Sequence, residues 1–139
     1  MANDNATDAI AAELAVRNVI ARVAHLSDRG DPDEYLQIFT KDAIWDFPGD
    51  ARRGRDEIVA GLRERRAAGR TGPGSGNRHA VTSIAVEILD GSHAEADSYV
   101  LFAGKRDGHP AILIAGRYHD DFELEDGAWR LARRQFIID

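Results

Sequence analysis

The sequence predicts an α+β fold in which a curved antiparallel sheet wraps around three N-terminal helices. Apolar residues recur at helical spacings over residues 8–28 and in two shorter segments before residue 66, whereas from residue 77 onward they alternate with a period of two. Tight-turn dipeptides separate four long strand patterns in the second half, which is typical of strands joined by hairpins. The length of 139 residues suits one domain over residues 1–139, with one core.

The first helix is predicted over residues 8–28. Ile10 and Leu14 share one side of this helix, and Asp28, about five turns after Ile10, projects on the same side. This geometry permits an inward-facing carboxylate but does not require one. Asp28 could equally be a C-terminal residue of the helix beside Gly30.

The second helix is short and has a clear start. Asp31 is placed as the N-cap, and Glu34 follows at the third helical position, as in a capping box. After this helix, residues 40–42 are expected to turn the chain. Residues 43–47 then form a strand that ends at Pro48.

The third helix is predicted over residues 54–66, and a glycine-rich loop follows over residues 69–76. This loop is not a phosphate-binding loop, because it lacks a glycine-lysine-Ser/Thr ending and leads into a strand instead of a helix. We interpret the loop as a surface connection that could act as a lid at the mouth of a pocket.

The remaining sequence predicts four long strands. They span residues 77–88, 93–103, 110–125 and 128–138. In the first of them, alternation places His79 and Val81 on one face and Ala80, Ile84 and Val86 on the other. The His79 face would carry mostly small side chains, which suits the floor of an open pocket and equally suits a face against solvent.

Composition excludes several classes of function. The net charge of −6 argues against a nucleic-acid partner, and the absence of cysteine excludes disulfides, thiol nucleophiles and thiolate metal sites. The histidines show no metal-ligand spacing, so no metal site is expected. No apolar run reaches membrane-spanning length, and residues 1–8 do not form a signal peptide. We therefore expect a soluble, cytoplasmic protein that uses no cofactor, binds no membrane and acts on a small molecule.

Arginines cluster around the third helix. Arg63, Arg65, Arg66 and Arg70 could form a positive patch that attracts an anionic ligand. The simpler interpretation is a solvated helix face on which the arginines pair with glutamates.

Asp28 and His79 are the best candidates for chemistry. A carboxylate that orients an imidazole and stabilises its protonated form creates a general base that works near neutral pH. Enzymes that remove a proton from carbon need such a base. Structural ion pairs and solvated surface residues are the commoner roles of these residue types.

Five local strings support this interpretation through a family resemblance. They are residues 25–31, residues 39–45, Asn77-Arg78-His79, residues 116–120 and residues 126–130. In this order and spacing they resemble the SnoaL-like branch of the nuclear transport factor 2-like superfamily. The resemblance implies a cone-shaped α+β barrel and a homo-oligomer, while the number of subunits stays open.

The resemblance also implies residue roles. The chain is most similar to the lyases of that superfamily, namely hexachlorocyclohexane dehydrochlorinase, scytalone dehydratase and bile acid dehydratase, whose Asp-His dyad matches Asp28 and His79. An arginine on the last strand of the dehydrochlorinase matches Arg134, where a cation could stabilise a leaving anion or an oxyanion. Some positions depart from the pattern, because the dehydrochlorinase's lysine matches Val23 and a tyrosine of scytalone dehydratase matches Ser27.

These observations predict a lyase, of the dehydratase or dehydrochlorinase kind, that takes a proton from a small hydrophobic ring-containing substrate. The expected pocket is mostly apolar, and plain core packing is the alternative role for each aromatic residue. Its lining residues would be His25, Trp45, Phe47, Tyr99, Phe102, Tyr118 and Phe136. Tyr118 could also supply a hydroxyl donor.

Two other classes of function stay open. A polyketide cyclase or a ketosteroid-isomerase-like enzyme would use the same pocket for proton transfer without losing a group. A non-catalytic binding or assembly module is the other class, since residues 133–139 also resemble the small subunit of ring-hydroxylating dioxygenases. Neither the substrate nor the role of the glycine-rich loop follows from the sequence.

Overall fold

The computed structural model describes residues 2–139, with side chains from residue 5 onward, and contains three helices and six strands. The helices are α1 (Ala2–Arg29), α2 (Pro32–Ile38) and α3 (Arg55–Ala67). The strands are β1 (Phe39–Phe47), β2 (Asp50–Arg53), β3 (Arg78–Ile88), β4 (His93–Arg106), β5 (His109–Glu125) and β6 (Ala128–Ile137). This confirms the predicted α+β class and the order of helices and long strands.

The six strands form one curved, open sheet in the order β2-β1-β6-β5-β4-β3. The four long strands pair antiparallel in chain order, as predicted. The pairing of β1 with β6 is parallel, so the sheet is mixed and the expectation of a wholly antiparallel sheet was wrong. Periodicity reveals that a segment is a strand, but it does not reveal which distant strand becomes its neighbour.

The region between α2 and α3 differs from the sequence prediction. Phe39 is both the C-cap of α2 and the first residue of β1, so residues 40–42 extend the strand instead of turning the chain. β1 ends at Phe47, before Pro48, as predicted, but a further strand that was not predicted follows it. A two-residue turn leads from β1 into β2, and Phe47 pairs with Asp50.

A β-bulge in β3 changes which residues face the helices. Thr82 pairs with Tyr99 and Ala85 pairs with Asp97, so Ser83 and Ile84 together occupy the space opposite one residue of β4. Ser83 adopts a left-handed backbone conformation with φ of 53°. The predicted faces of this strand were therefore wrong beyond the bulge. The side facing the core carries His79, Val81, Ile84, Val86 and Ile88, and all but the first pack against the core.

The core lies between the helices and the concave face of the sheet. In α1 the fully buried residues are Val16 and Ile20, whereas Ile10 and Leu14 are each 62% exposed. The inward side of α1 is therefore not the one that Ile10 and Leu14 share. The other large buried side chains include Tyr35, Phe39, Ile58, Leu62, Phe122 and Leu131. Within residues 2–139, no helix has both the length and the hydropathy needed to cross a bilayer.

Candidate active site

Asp28 in the last turn of α1 contacts His79 at the start of β3. The ring Nδ1 of His79 lies 2.7 Å from Oδ1 of Asp28, and the backbone N–H of His79 donates to both carboxylate oxygens, at 3.2 and 3.1 Å. The carboxylate therefore fixes the ring and its backbone together. Because an ionised carboxylate can only accept, Nδ1 carries a proton in this contact. Nε2 makes no hydrogen bond to any described residue.

Arg66 of α3 holds the end of α1 that carries Asp28. Its Nη2 donates to the carbonyl oxygens of Leu26 and Gly30, both at 2.8 Å, at the end of the helix where carbonyl groups run out of backbone donors. Gly72 makes room for this side chain, because a Cβ at that position would lie 2.7 Å from Cγ of Arg66. The position of Asp28 thus depends on a contact between α1, α3 and the glycine-rich loop.

His79 lines two cavities. We call the first the outer cavity. It has a volume of about 490 Å³ and lies between the end of α1 and the glycine-rich loop. Its lining includes Ile20, Ala24, His25, Asp28, Arg29, residues 72–74, residues 76–79, Val81 and Ile84.

The second cavity, which we call the aromatic cavity, has a volume of about 200 Å³. Its walls include the aromatic side chains of Trp45, Phe47, Phe102, Tyr118 and Phe136, together with the His79 ring. The rings of Trp45 and Phe47 stack at 4.0 Å, and the His79 ring lies 4.7 Å from that of Phe102. His79 is thus the one member of the Asp28–His79 pair that lines both cavities.

Five of the six aromatic residues proposed for the pocket line the aromatic cavity, and Tyr99 does not. Tyr99 is 57% exposed, because its position in β4 alternates with the inward-facing Ser98 and Val100. His25 lines the outer cavity instead, where its Nδ1 accepts a hydrogen bond from Arg29 at 3.2 Å. Burial raises the pKa of Tyr118 to about 12, so its hydroxyl is protonated and can donate at neutral pH.

Arg134 is buried beneath the aromatic cavity and is paired with Asp120. Its Nε and Nη2 each donate to one carboxylate oxygen of Asp120 at 2.9 Å, and the two residues are 2% and 0% exposed. The guanidinium carbon lies 3.8 Å from the ring centroid of Tyr118. Burial lowers the pKa of Arg134, but Asp120 more than compensates and raises it above the ordinary value.

This arrangement changes the role expected for Arg134. Its charge is already balanced by Asp120, so it is not a free cation that awaits a leaving anion. It instead supports the Tyr118 ring from below. Asp120 was not singled out from the sequence, although it shares the inward-facing parity of Tyr118 and Phe122 and lies opposite Arg134 in the pairing of β5 with β6.

Sequence reasoning also missed polar groups in the aromatic cavity. Besides the aromatic residues, the cavity is lined by Ser27, Asp50, Arg65, Arg70 and Thr71. The arginine cluster was visible in the sequence, but its position at a cavity depends on how α3 and the following loop pack. Nothing in the sequence marks Thr71.

One group of possible metal ligands lies outside the site, on the opposite face of the sheet. Ligand atoms of Glu95, His119 and Asp121 lie within 4.8 Å of one another. Nδ1 of His119 is held by Asp97 at 2.8 Å, which raises the pKa of His119. Neither cavity contains a comparable group among the described residues.

Comparison with solved structures places the fold among known proteins. A protein of unknown function from Mycobacterium tuberculosis is 26% identical, with a TM-score of 0.79 over 91% of this chain and 70% of that one. A protein from Catenulispora acidiphila, solved in complex with S-DNPA, is 27% identical, with a TM-score of 0.75 over 91% of this chain and 92% of that one. A candidate scytalone dehydratase from Novosphingobium aromaticivorans is 20% identical, with a TM-score of 0.74 over 94% of this chain and 86% of that one.

A search of curated proteins finds no match. The sequence pattern of the SnoaL-like domain matches residues 8–135, which include α1 from its second turn, all of α2 and α3, and every strand except the last two residues of β6. Both members of the Asp28–His79 pair lie within the match. An NTF2-like protein with a cystatin-like fold is also among the similar structures. The chain belongs to the SnoaL-like domain family.

Proposed function

We propose that this protein is a lyase that removes a proton from carbon in a small ring-containing substrate, with His79 as the general base. The observation that carries the proposal is the 2.7 Å contact between Nδ1 of His79 and Asp28, at a ring that lines an aromatic cavity. Because Asp28 occupies Nδ1, the unpartnered Nε2 is the nitrogen that can take the proton. The similarity to a candidate scytalone dehydratase agrees with this class of reaction.

The reaction begins when Nε2 of His79 accepts a proton from a carbon beside the one that carries the leaving group. The electron pair of the broken C–H bond forms a carbon–carbon double bond as the leaving group departs with its own bonding pair. Asp28 stabilises the imidazolium that results. In a dehydration, the imidazolium then returns the proton to the departing hydroxide and water is released.

The aromatic cavity determines the kind of substrate. Its volume of about 200 Å³ and its five aromatic walls suit a small planar or cyclic molecule that is mostly apolar. The Tyr118 hydroxyl is a donor that can polarise a carbonyl group on that molecule, and the buried Arg134 acts as a positioning residue through its contact with the Tyr118 ring.

The test compares two variants of the pair with a matched surface pair. A panel of cyclic β-hydroxy and β-halo ketones is incubated with the wild type, His79→Gln and Asp28→Asn, and products are followed by mass spectrometry. We expect both variants to lose about 10²–10⁴-fold in rate, the usual contribution of general base catalysis. His93→Gln is the control, because His93 also contacts an aspartate, Asp90, at 3.0 Å but on the exposed surface.

Product mass identifies the reaction class. Elimination lowers the mass by that of the lost group, whereas isomerisation or ring closure without loss leaves it unchanged. Turnover that persists at the wild-type rate in His79→Gln would exclude His79 as the base. Nitrogen-15 NMR of the ring gives a test that needs no substrate, because Asp28 should hold His79 as the Nδ1–H tautomer and Asp28→Asn should weaken that preference.

A further inference from the structure

The aromatic cavity contains a buried hydroxyl group that no protein atom satisfies. Thr71 is 6% exposed and lines the cavity, and its Oγ1 has no hydrogen-bond partner among the described residues. Trp45, which is equally buried, leaves its indole Nε1 without an acceptor in the same wall. An unsatisfied buried polar group destabilises the protein, so both positions favour a ligand with acceptor oxygens.

Two arginines add positive charge to the same cavity. The guanidinium of Arg70 makes no ion pair or hydrogen bond with the described residues, and Arg70 lines the cavity as an exposed residue. Arg65 also lines it, and its nearest carboxylate oxygen is on Asp50 at 3.8 Å. Asp50 bonds Arg52 at 2.7 Å, and Arg52 in turn bonds Glu64 at 2.6 Å, so Arg65 has a carboxylate nearby but none within hydrogen-bond distance.

These groups share one chemical property. Thr71, Trp45, Arg65 and Arg70 can all donate hydrogen bonds, and the two arginines are cations. The acidic member of the lining, Asp50, is already bonded to Arg52. An apolar ligand would leave the buried donors of Thr71 and Trp45 unsatisfied, whereas an anionic acceptor would satisfy several of the four donors together.

We propose that the ligand of the aromatic cavity is an aromatic or cyclic carboxylate, whose ring contacts the aromatic walls and whose anionic oxygens are bound by Arg70, Arg65 and Thr71. This inference rests on the proposed function where it concerns the reaction of the ligand, whereas the binding of the ligand does not depend on that function. The carboxylate anchors the ring in a cavity that His79 also lines. Arg70 and Thr71 then determine specificity, and His79 carries the chemistry.

Binding of a matched pair of probes tests the proposal. 2-Naphthoate and 2-naphthamide have nearly the same shape but differ in charge, and their affinities for the protein are measured by isothermal titration calorimetry at low salt. We expect 2-naphthoate to bind at least about tenfold more tightly, equivalent to about 1.4 kcal/mol. Arg70→Gln should remove most of this preference and leave the affinity for 2-naphthamide unchanged. Thr71→Val should lower the affinity for both probes, because each has an acceptor oxygen.

Two controls separate this proposal from the proposed function. Arg63→Gln removes an exposed charge from α3 that lines neither cavity and should leave the preference intact. His79→Gln should also leave it intact, even where it abolishes turnover. Equal affinities for the two probes, no binding of 2-naphthoate, or equal effects of Arg63→Gln and Arg70→Gln would overturn the inference. If 2-naphthoate is still preferred over 2-naphthamide but His79→Gln and Asp28→Asn keep full activity, only the proposed lyase function is refuted.

Discussion

Replacing one member of the buried Asp120–Arg134 pair should destabilise the protein strongly. Both side chains are almost completely inaccessible and are joined by two hydrogen bonds of 2.9 Å. Removing either leaves the other charge buried without its partner, which costs about 3–5 kcal/mol. Arg134→Met should cost more than Asp120→Leu, because it also removes the cation over the Tyr118 ring, a contact that contributes about 2 kcal/mol when desolvated.

The double variant distinguishes a charge effect from a packing effect. Asp120→Leu with Arg134→Met replaces the pair with apolar side chains, so no charge is left buried. We expect its free energy of unfolding to lie closer to that of the wild type than either single variant does. Urea unfolding followed by circular dichroism, at one fixed protein concentration, measures all four proteins.

The pH dependence of Arg134→Met adds a second measurement. Burial raises the pKa of Asp120 even beside Arg134, which acts in the opposite direction. Without Arg134 the pKa should rise further, so the folded state favours the protonated carboxyl. A group with a raised pKa stabilises the fold at low pH and loses that contribution as the pH rises through the folded-state value. The free energy of unfolding of Arg134→Met, which is expected to be lower than that of Asp120→Leu, should therefore approach it as the pH is lowered.

Two results would refute this account of the pair. A single variant that costs less than about 1 kcal/mol would mean that water or another side chain compensates the remaining charge. A double variant whose cost equals the sum of the single costs would mean that the two residues do not interact energetically. Either result would also remove the reason for assigning Arg134 a positioning role beneath Tyr118.

Three further predictions concern other parts of the molecule. The hydrogen bond that His119 donates to Asp97 raises the pKa of His119, so NMR titration should place this pKa above about 6.5, and Asp97→Asn should lower it. The stabilisation from this contact should be lost as the pH rises through the folded-state pKa of His119. Ser83→Gly should stabilise the protein, and Ser83→Val should cost at least about 1 kcal/mol in thermal unfolding, because of the left-handed backbone there. Ultraviolet titration should find one tyrosine that ionises near pH 12, and Tyr118→Phe should remove it.

Local sequence signals predicted the parts of the fold that depend on neighbouring residues. Asp31 caps α2 as expected, since its side chain accepts a hydrogen bond from the backbone N–H of Asp33 at 2.8 Å. The turns at residues 90–91 and 126–127 lie between strands where they were expected. In each case a few adjacent residues determine the backbone conformation, so the local sequence is sufficient to predict it.

Features that depend on distant pairing could not be predicted in this way. The parallel pairing of β1 with β6 joins segments far apart in the chain, and no local period encodes it. The bulge at Ser83 reverses the faces of β3, although serine is not a residue that favours a left-handed backbone. The pairing of Asp120 with Arg134 required the register of β5 against β6.

The central position of β6 has a consequence for how the chain folds during synthesis. β6 is synthesised after the other five strands and lies between β1 and β5, so the β1–β2 hairpin cannot join the β3–β5 meander until β6 has emerged from the ribosome. Until then, the edges of β1 and β5 that β6 will cover are open to pairing with other chains. Such long-range closure is slow compared with hairpin formation. The nascent protein therefore exposes two unpaired strand edges at the stage when it is most prone to aggregate, and a chaperone that binds extended segments should act there.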